Sequence, residues 1–505
     1  MKILSILSDL ILINKIKKQK KMNNIKIKIF FSICLFSIFY NTYGTNIEFD
    51  ISNTTEKNIY LCMYKGPDFE IIDTIFSENG KFIYTREQSL PHGVYFVVIP
   101  PHTRFDFIIA ENQDFTIKLN AGNVTETIES TGEKQYSLFL EMQKEIANLN
   151  KARSLLNMEK EVFKRIKSDT LPVINKRIDS INIIQSDIYK KYRNMMAPDI
   201  FFNKMLKIME PFEIPDSAEK LKYKDPYLYF RYYIDHYFDR VDFSDSYLLN
   251  TPQFVFHRLL EDYCQYFINN RANNLDEVYK DIDNLIAKTN NNLSYRKYIL
   301  NYMIAKYEAP ENLKLEAIFI YLYRKYYMVE KPEWVSNQAY EILKFRAEAM
   351  QYNIIGSTAK DLRLTDINGT YHSIYELPSN YKIILFWEPD CDFCSDMALE
   401  LKDVYETLEA ENVAVFAVLT NTDIDIWTDF INENELNWIN VYDPDNSSNY
   451  ETYYGTYKTP RIYILDQNNI ILAKDIKPGS ITNFIKHHET SVSDPKDPFG
   501  FIFDK

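Results

Sequence analysis

Two cysteines separated by two residues are the strongest candidates for chemistry in this chain of 505 residues. Cys391 and Cys394 directly follow the apolar run Tyr381–Trp387 and open a segment whose apolar residues recur at helical spacing. A thiol at the N-terminus of a helix gains from the helix dipole and from free backbone amides, and both favour the reactive thiolate. The second cysteine lies one turn later and can close a disulfide on the first. The pattern predicts thiol–disulfide exchange, which needs no cofactor beyond the disulfide itself.

A zinc site is the main alternative for this cysteine pair, and it would need a second pair of ligands. Cys62 and Cys264 have no Cys or His neighbour at ligand spacing, and the seven histidines form no HExxH pattern. We therefore expect no metal. Cys62 and Cys264 are each expected to be a buried apolar residue, with a disulfide between them as an open alternative.

Glycine content and net charge exclude several other functions. The chain has only 11 glycines, and the closest pair, Gly122 and Gly132, lies ten residues apart. Dinucleotide-binding and P-loop motifs are excluded, because their glycines stand about two to five residues apart. The net charge of −13 argues against nucleic acid and acidic membrane surfaces as partners.

A second motif supports redox chemistry. Thr459-Pro460 stands immediately before the predicted strand Arg461–Asp466, and Phe386–Cys394 reads FWEPDCDFC. Together these motifs resemble the TlpA-like branch of the thioredoxin family, over about 140 residues of the chain. The resemblance implies an α/β thioredoxin fold with a cis-proline that faces the cysteine pair.

The resemblance also implies roles for residues and partners. Cys391 would be the nucleophile and Cys394 the resolving thiol, with Trp387, Thr459 and Pro460 supporting the site or contacting the substrate. The implied activity is reduction of disulfides in extracytoplasmic proteins, and the implied electron donor is an unidentified membrane protein.

Two departures from the family pattern leave the proton-transfer group open. Many relatives carry a Glu and a Pro shortly after the cysteines, where this chain has Met397 and Leu399. Thioredoxins often carry a buried acid six residues before the first cysteine, where this chain has Leu385. Glu388 or Asp390 is the candidate substitute for proton transfer to and from Cys394.

Four carboxylates surround the cysteine pair in sequence: Glu388, Asp390, Asp392 and Asp396. Each disfavours a nearby thiolate, and together they are expected to cancel the stabilisation from the helix dipole. The disulfide is then relatively stable, so the pair is expected to act as a reductant and not as a strong oxidant.

The first 44 residues have the composition of a signal peptide. We expect Met22 to be the natural start of the protein. Read from Met22, a basic segment precedes the apolar run Ile29–Tyr40, and small residues around Gly44 predict cleavage there. Twelve apolar residues are too few to span about 30 Å of hydrocarbon. We therefore expect export to the periplasm of a Gram-negative envelope, with no transmembrane anchor in the mature chain.

The remainder divides into four zones by composition and periodicity, which predict a multidomain chain. Period-2 patterns and turn signals predict a small antiparallel β-sandwich, an almost glycine-free stretch predicts an all-α domain, and alternating strands and helices predict the thioredoxin fold. Apolar spacing of three, four and seven residues and the break at Leu171-Pro172 predict that the all-α domain opens with an antiparallel hairpin of two helices, about 135–168 and 172–196. The zones are 45–132 (β), 133–350 (helical), 351–490 (thioredoxin-like) and 491–505 (irregular tail). Tyr237–Pro252 resembles an uncharacterised helical domain that precedes thioredoxin domains in exported proteins, often behind a small β domain.

Two further functions compete with the reductase interpretation. One is a non-catalytic envelope-binding or assembly protein whose thioredoxin domain is structural. The other is a peroxidase, which is disfavoured because no Pro-x-x-x-Thr-x-x-Cys pattern surrounds Cys391.

Overall fold

The computed structural model describes residues 44–493, except 79, 166–169, 213, 290–291 and 421–422. The predicted signal peptide before Gly44 and the predicted tail beyond Ser493 lie outside the described residues. Two compact units are present, one formed by the chain up to Phe212 together with Tyr247–His257, the other by the remainder. No helix of the described segments combines the length and apolar character needed to cross a membrane.

The first unit begins with eight strands in the hydrogen-bonded order β6-β5-β2-β3-β4-β1-β7-β8. The strands are β1 Thr45–Ser52, β2 Asn58–Lys65, β3 Asp68–Glu78, β4 Lys81–Arg86, β5 Gly93–Ile99, β6 Thr103–Ile109, β7 Asp114–Asn120 and β8 Glu129–Thr131. Ile47, Phe49 and Ile51 are buried at alternate positions of β1, as a strand with one face on a core requires. The β-rich N-terminal domain is confirmed, and the β1–β7 pair is parallel, which the periodicity did not predict.

A long helical hairpin follows the sheet in the same unit. Its helices are α2 Lys134–Arg165 and α3 Leu171–Arg193, between the short helices α1 Val124–Thr127 and α4 Phe201–Met209. The break falls where Leu171-Pro172 places a proline in the first turn of α3, a position that needs no backbone N–H donor. Leu156, Ile174 and Ile181 form the small buried core between the two long helices. The predicted antiparallel hairpin is confirmed.

Shorter helices fill the chain up to residue 350, as the scarcity of glycine predicts. They are α5 Asp216–Glu219, α6 Pro226–His236, α7 Phe256–Tyr263, α8 Leu275–Lys288, α9 Leu293–Glu308, α10 Glu316–Leu322 and α11 Asn337–Met350. π-helical turns at Cys264–Ile268 and Tyr323–Met328 extend α7 and α10.

The C-terminal region of the second unit is an α/β domain around a five-stranded sheet of order β13-β12-β11-β14-β15. Its elements are β9 Arg363–Thr365, β10 Tyr371–Ser373, β11 Tyr381–Trp387, α12 Asp392–Ala410, β12 Val413–Leu419, α13 Ile424–Glu433, β13 Ile439–Val441, α14 Tyr450–Tyr454, β14 Arg461–Asp466, β15 Ile471–Lys474 and α15 Ile481–Ser493. The central strand β11 pairs in parallel with β12 and antiparallel with β14. All seven residues of β11 are buried, because the sheet is covered on both faces.

Candidate active site

The cysteine pair lies where β11 ends and α12 begins, as the sequence predicted. Cys391 is the N-cap residue of α12, and its Sγ accepts a hydrogen bond of 3.3 Å from the backbone N–H of Cys394. The two Cα atoms are 5.2 Å apart and the two sulfurs form a disulfide. Cys391 is half-buried, whereas Cys394 is fully buried in the core beneath the helix. Of the two cysteines, Cys391 is therefore the one that is partly open to solvent, whereas Cys394 is shielded.

Glu388 is the carboxylate that the structure brings to the disulfide. One of its carboxylate oxygens and the sulfurs of Cys391 and Cys394 all lie within 4.8 Å of one another. The hydroxyl of Thr459 donates a hydrogen bond of 2.8 Å to Glu388 Oε1. The second candidate, Asp390, is exposed to solvent and lies outside this group. Thr459 thus orients Glu388 beside both sulfurs.

Sheet register brings Thr459 and Pro460 to the cysteines. Strand β14 pairs antiparallel with β11 so that Arg461 lies opposite Phe386. The two residues before Arg461 therefore lie beside the end of β11, from which the chain enters the cysteine motif. The Thr459–Pro460 peptide bond is cis, as the resemblance implied.

Trp387 lies behind the site and not on its surface. Its side chain is fully buried and its ring packs against Phe430 with centroids 5.4 Å apart. This placement fits a supporting role for Trp387, since a substrate in solution would not reach a fully buried ring.

The remaining carboxylates of the motif face solvent. Asp392 and Asp396 are exposed, and Asp392 stands in the first turn of α12, where a negative charge is favoured by the helix dipole. Phe393, between the two cysteines, is 79% exposed.

The position six residues before Cys391, where thioredoxins often carry a buried acid, is occupied by Leu385. Leu385 is fully buried, so this position supplies no acid to the site.

The hydroxyl of Tyr450 stays protonated at neutral pH. It donates a hydrogen bond to the carbonyl of Thr420 over 2.9 Å. Burial, and then the negative charges of Glu451, Asp443 and Glu388, raise the pKa of Tyr450 to about 12. Tyr450 therefore does not accept a proton from a cysteine at neutral pH.

The two remaining cysteines of the described chain are free, buried thiols, so the alternative of a bridge between them is wrong. Burial raises the pKa of Cys62, and it raises the pKa of Cys264 to about 12. Both thiols are therefore poor nucleophiles.

Within the described residues, Glu388, Cys391 and Cys394 are also the group with the ligand types and spacing for a metal ion. Metal sites bind cysteine as the thiolate, and the sulfurs of a disulfide are not thiolates. The bonded sulfurs are instead suited to thiol–disulfide exchange.

Comparison with protein families identifies this region. Residues 355–474 match the AhpC/TSA family, and they contain the whole five-stranded sheet together with the cysteine pair and Thr459-Pro460. These residues form a thioredoxin-like domain of the AhpC/TSA family. With the β-rich and helical regions described above, the match confirms the predicted multidomain fold class.

Three solved structures that are similar to this chain are each covered over more than 90% of their own length. A domain of a possible thiol-disulfide isomerase from Cytophaga hutchinsonii is 30% identical, covering 28% of this chain and 96% of that chain, with a TM-score of 0.27. A thioredoxin-like protein from Bacteroides caccae is 22% identical over 55% of this chain and 97% of its own, with a TM-score of 0.42. A thiol:disulfide interchange protein from a Bacteroides species is 22% identical over 29% and 94%, with a TM-score of 0.25.

The regions before the thioredoxin-like domain match two domain families of unknown function. Residues 186–353 match DUF5106 and residues 45–139 match DUF4369. A comparison with curated proteins finds no match.

Sequence reasoning did not predict the hydrogen bond between Thr459 and Glu388. The two residues are 71 positions apart, and neither has a neighbour pattern that indicates the other. The bond follows from the register of β14 on β11, which single-sequence periodicity does not encode.

Proposed function

We propose that this protein is an exported thiol–disulfide oxidoreductase of the TlpA-like type, which reduces disulfides of extracytoplasmic proteins through Cys391 and Cys394. The observation that carries the proposal is the asymmetric cysteine pair at a helix N-terminus, with one half-buried and one fully buried cysteine. This arrangement suits an attacking thiol that meets substrate and a resolving thiol that does not.

The reaction begins with the reduced pair. The Cys391 thiolate attacks one sulfur of a substrate disulfide, the substrate S–S bond breaks, and a mixed disulfide forms while the other substrate sulfur leaves as a thiolate. Cys394 then loses its proton and attacks the Cys391 sulfur, which releases the second substrate thiolate and leaves the Cys391–Cys394 disulfide. Two electrons pass to the substrate, and its two thiolates take up protons. A dithiol donor in the membrane returns the pair to the reduced state.

Glu388 is the group we assign to proton transfer with Cys394. Its carboxylate lies within 4.8 Å of both sulfurs and is oriented by Thr459, whereas Asp390 is exposed outside this group. A general base must reach the proton that it accepts, directly or through one water, and 4.8 Å allows the second route.

The charge around the pair supports a reducing direction. A carboxylate at 4.8 Å destabilises a thiolate by about 1–3.5 kcal/mol, for effective dielectric constants from about 80 to 20. The N-terminus of a helix stabilises a thiolate by only about 0.3–2 kcal/mol. Because a less stable dithiolate makes the disulfide harder to reduce, the pair donates electrons more readily than it accepts them.

Location and partners follow from the same proposal. The signal-like residues 1–44 direct the chain to the periplasm, where disulfide-bearing exported proteins are the substrates and a membrane protein is the donor. A peroxidase is not favoured, because Ile384 and Glu388 stand where the peroxidase pattern requires Pro and Thr before the cysteine. The intact cysteine pair likewise disfavours a purely structural domain.

A trapping experiment tests the proposal. In Cys394→Ala the resolving thiol is absent, so mixed disulfides between Cys391 and substrates should accumulate in the periplasm and dissociate with a reductant. Non-reducing electrophoresis followed by mass spectrometry identifies the captured proteins. The matched control is Cys391→Ala, in which the remaining thiol is buried and should capture nothing.

Two results would contradict the proposal. One is an empty Cys394→Ala trap in cells whose exported proteins contain disulfides. The other is equal capture by Cys391→Ala, because it would show that exposure of the first cysteine does not determine the reaction.

A further inference from the structure

The α2–α3 hairpin carries a row of apolar side chains that the described chain leaves open to solvent. The six residues are 48–66% exposed although all are Leu, Met, Val or Ile. They are Leu155, Met158 and Val162 on α2, with Val173, Ile183 and Ile184 on α3. We call this set the hairpin stripe. Large apolar side chains normally face a core, so an exposed set of this size indicates a covering partner.

Helical spacing places the α2 part of the stripe along one edge of the hairpin. Leu155 stands four residues before Glu159, and Val162 stands three residues after it. Residues at these spacings share a helix face. Glu159 Oε2 forms an ion pair of 3.7 Å with Arg177 Nη1 of α3. The α2 residues of the stripe therefore flank this ion pair.

The α3 part of the stripe lies on the same edge. Val173 stands four residues before Arg177, and Ile184 follows it by seven residues, which is two helical turns. The opposite edge is polar, because Arg153 of α2 donates there to Asn182 Oδ1 of α3 over 3.1 Å. The hairpin thus has one apolar edge with a central pair of opposite charges and one polar edge.

The part of the hairpin that carries the stripe buries little. Its core has three buried side chains, Leu156, Ile174 and Ile181, whereas the opposite ends of the two helices bury further side chains such as Met142 and Tyr192. Most helical stability in proteins comes from packing an apolar face, so this element gains substantially from a second layer of helices. Two such hairpins can form a four-helix bundle.

We infer that the hairpin stripe is a homodimer interface, at which the same edge of a second copy of this chain packs. The stripe is self-complementary, because its central charges are one Glu and one Arg. In a two-fold arrangement, the Glu159–Arg177 ion pair of one copy lies against that of the other, so each carboxylate faces the other copy's guanidinium as well as its own, while the apolar residues face each other. The inference is independent of the proposed redox function, and a dimer would carry two redox sites.

The area of the stripe is compatible with a stable dimer. Six side chains at about 100 Å² each expose on the order of 600 Å², at the upper end of apolar patches on soluble monomers. A stable dimer usually buries about 800 Å² of surface on each partner. The stripe and its charged border together approach this area.

Light scattering on the purified full-length chain, coupled to size exclusion, tests the inference. We expect a dimer over about a hundredfold range of concentration, and a monomer for Met158→Glu, because that substitution places a charge in the centre of the stripe. The matched control is Asn157→Glu, which adds the same charge at the adjacent exposed position, one helical turn after Arg153 on the polar edge. This variant should remain a dimer.

Three results would overturn the inference. The first is a wild-type chain that stays a monomer at the highest concentration, as it would if a membrane or another protein covered the stripe. The second is a Met158→Glu variant that stays a dimer, which would place the interface elsewhere. The third is equal dissociation of Met158→Glu and Asn157→Glu, which would make the effect one of net charge. Circular dichroism melts of both variants check that the hairpin remains folded, as expected for substitutions at exposed positions.

Discussion

At the scale of single residues, the two cysteines differ in environment although only two residues separate them. Cys391 caps the helix and is half-buried, whereas Cys394 packs in the core and is fully buried. This difference arises because the N-cap residue lies outside the helix, while a residue one turn later can face the sheet. The proposed roles of Cys391 as attacking thiol and Cys394 as resolving thiol rest on this difference in position.

Replacing Glu388 by Gln should change the two steps in opposite directions. The amide oxygen can still accept the hydrogen bond from Thr459, but the negative charge within 4.8 Å of both sulfurs is lost. Alkylation of Cys391 in the reduced protein at neutral pH should become faster, on the order of tenfold, because its thiolate is less disfavoured. Resolution of a mixed disulfide by Cys394 should become slower, because the proton acceptor is gone.

Stopped-flow measurements of alkylation and of mixed-disulfide decay separate these two effects. Asp390→Asn serves as the control, since it removes a charge two residues away that lies outside the sulfur–carboxylate group. If both variants change both rates equally, the carboxylates act only through their summed charge, and the assignment of proton transfer to Glu388 is wrong.

At the scale of elements, a buried ion pair connects helix α10 with strand β15 inside the second unit. The Glu316 carboxylate contacts the Lys474 ammonium, and the two residues are 7% and 5% exposed. Burial raises the pKa of Glu316 and lowers that of Lys474, although their mutual attraction opposes both shifts. Each charge is therefore tolerated in the core only because the other is present.

Glu316→Gln should destabilise the second unit by about 3–5 kcal/mol, because it leaves the buried Lys474 ammonium without its counter-charge. The double variant Glu316→Gln/Lys474→Met should recover most of this loss, since neither buried charge then remains. Urea unfolding monitored by tryptophan fluorescence measures both, because all four tryptophans of the chain belong to this unit. Additive losses in the double variant would show that the two side chains are energetically independent.

At the scale of the whole molecule, strand β1 begins one residue after Gly44, where the sequence predicts signal-peptide cleavage. Thr45 is the first residue of β1 and is fully buried, and its hydroxyl accepts a hydrogen bond of 3.2 Å from the N–H of Leu90. Strand β1 lies between β4 and β7, so the sheet depends on it. Cleavage several residues later would remove part of an interior strand.

Under the proposed export, the mature protein should therefore begin at or immediately before Thr45. N-terminal sequencing and intact mass of the protein recovered from the periplasm measure this directly. A mature chain that retains residues 1–21 would contradict both the start at Met22 and the signal peptide. A chain that begins beyond Ile51 would be incompatible with the sheet as described, because β1 would then be missing.

The sequence alone determined the elements whose residues repeat at short range. Apolar spacing of three and four residues predicted the α2–α3 hairpin, the unbroken apolar run predicted the buried strand β11, and the cysteine spacing predicted a disulfide at a strand-to-helix junction. These features depend on residues within about ten positions of one another. Such periodicities occur in any fold in which an element buries one apolar face.

Tertiary structure decided which distant residues meet. The choice of Glu388 over Asp390 depends on Thr459, which β14 brings from 71 positions away, and the parallel pairing of β1 with β7 joins the two ends of the β region. The division into two units also separates parts of a helical stretch that is uniform in composition. Such contacts are set by strand register and by competition among apolar faces for burial. No local sequence pattern determines either of them.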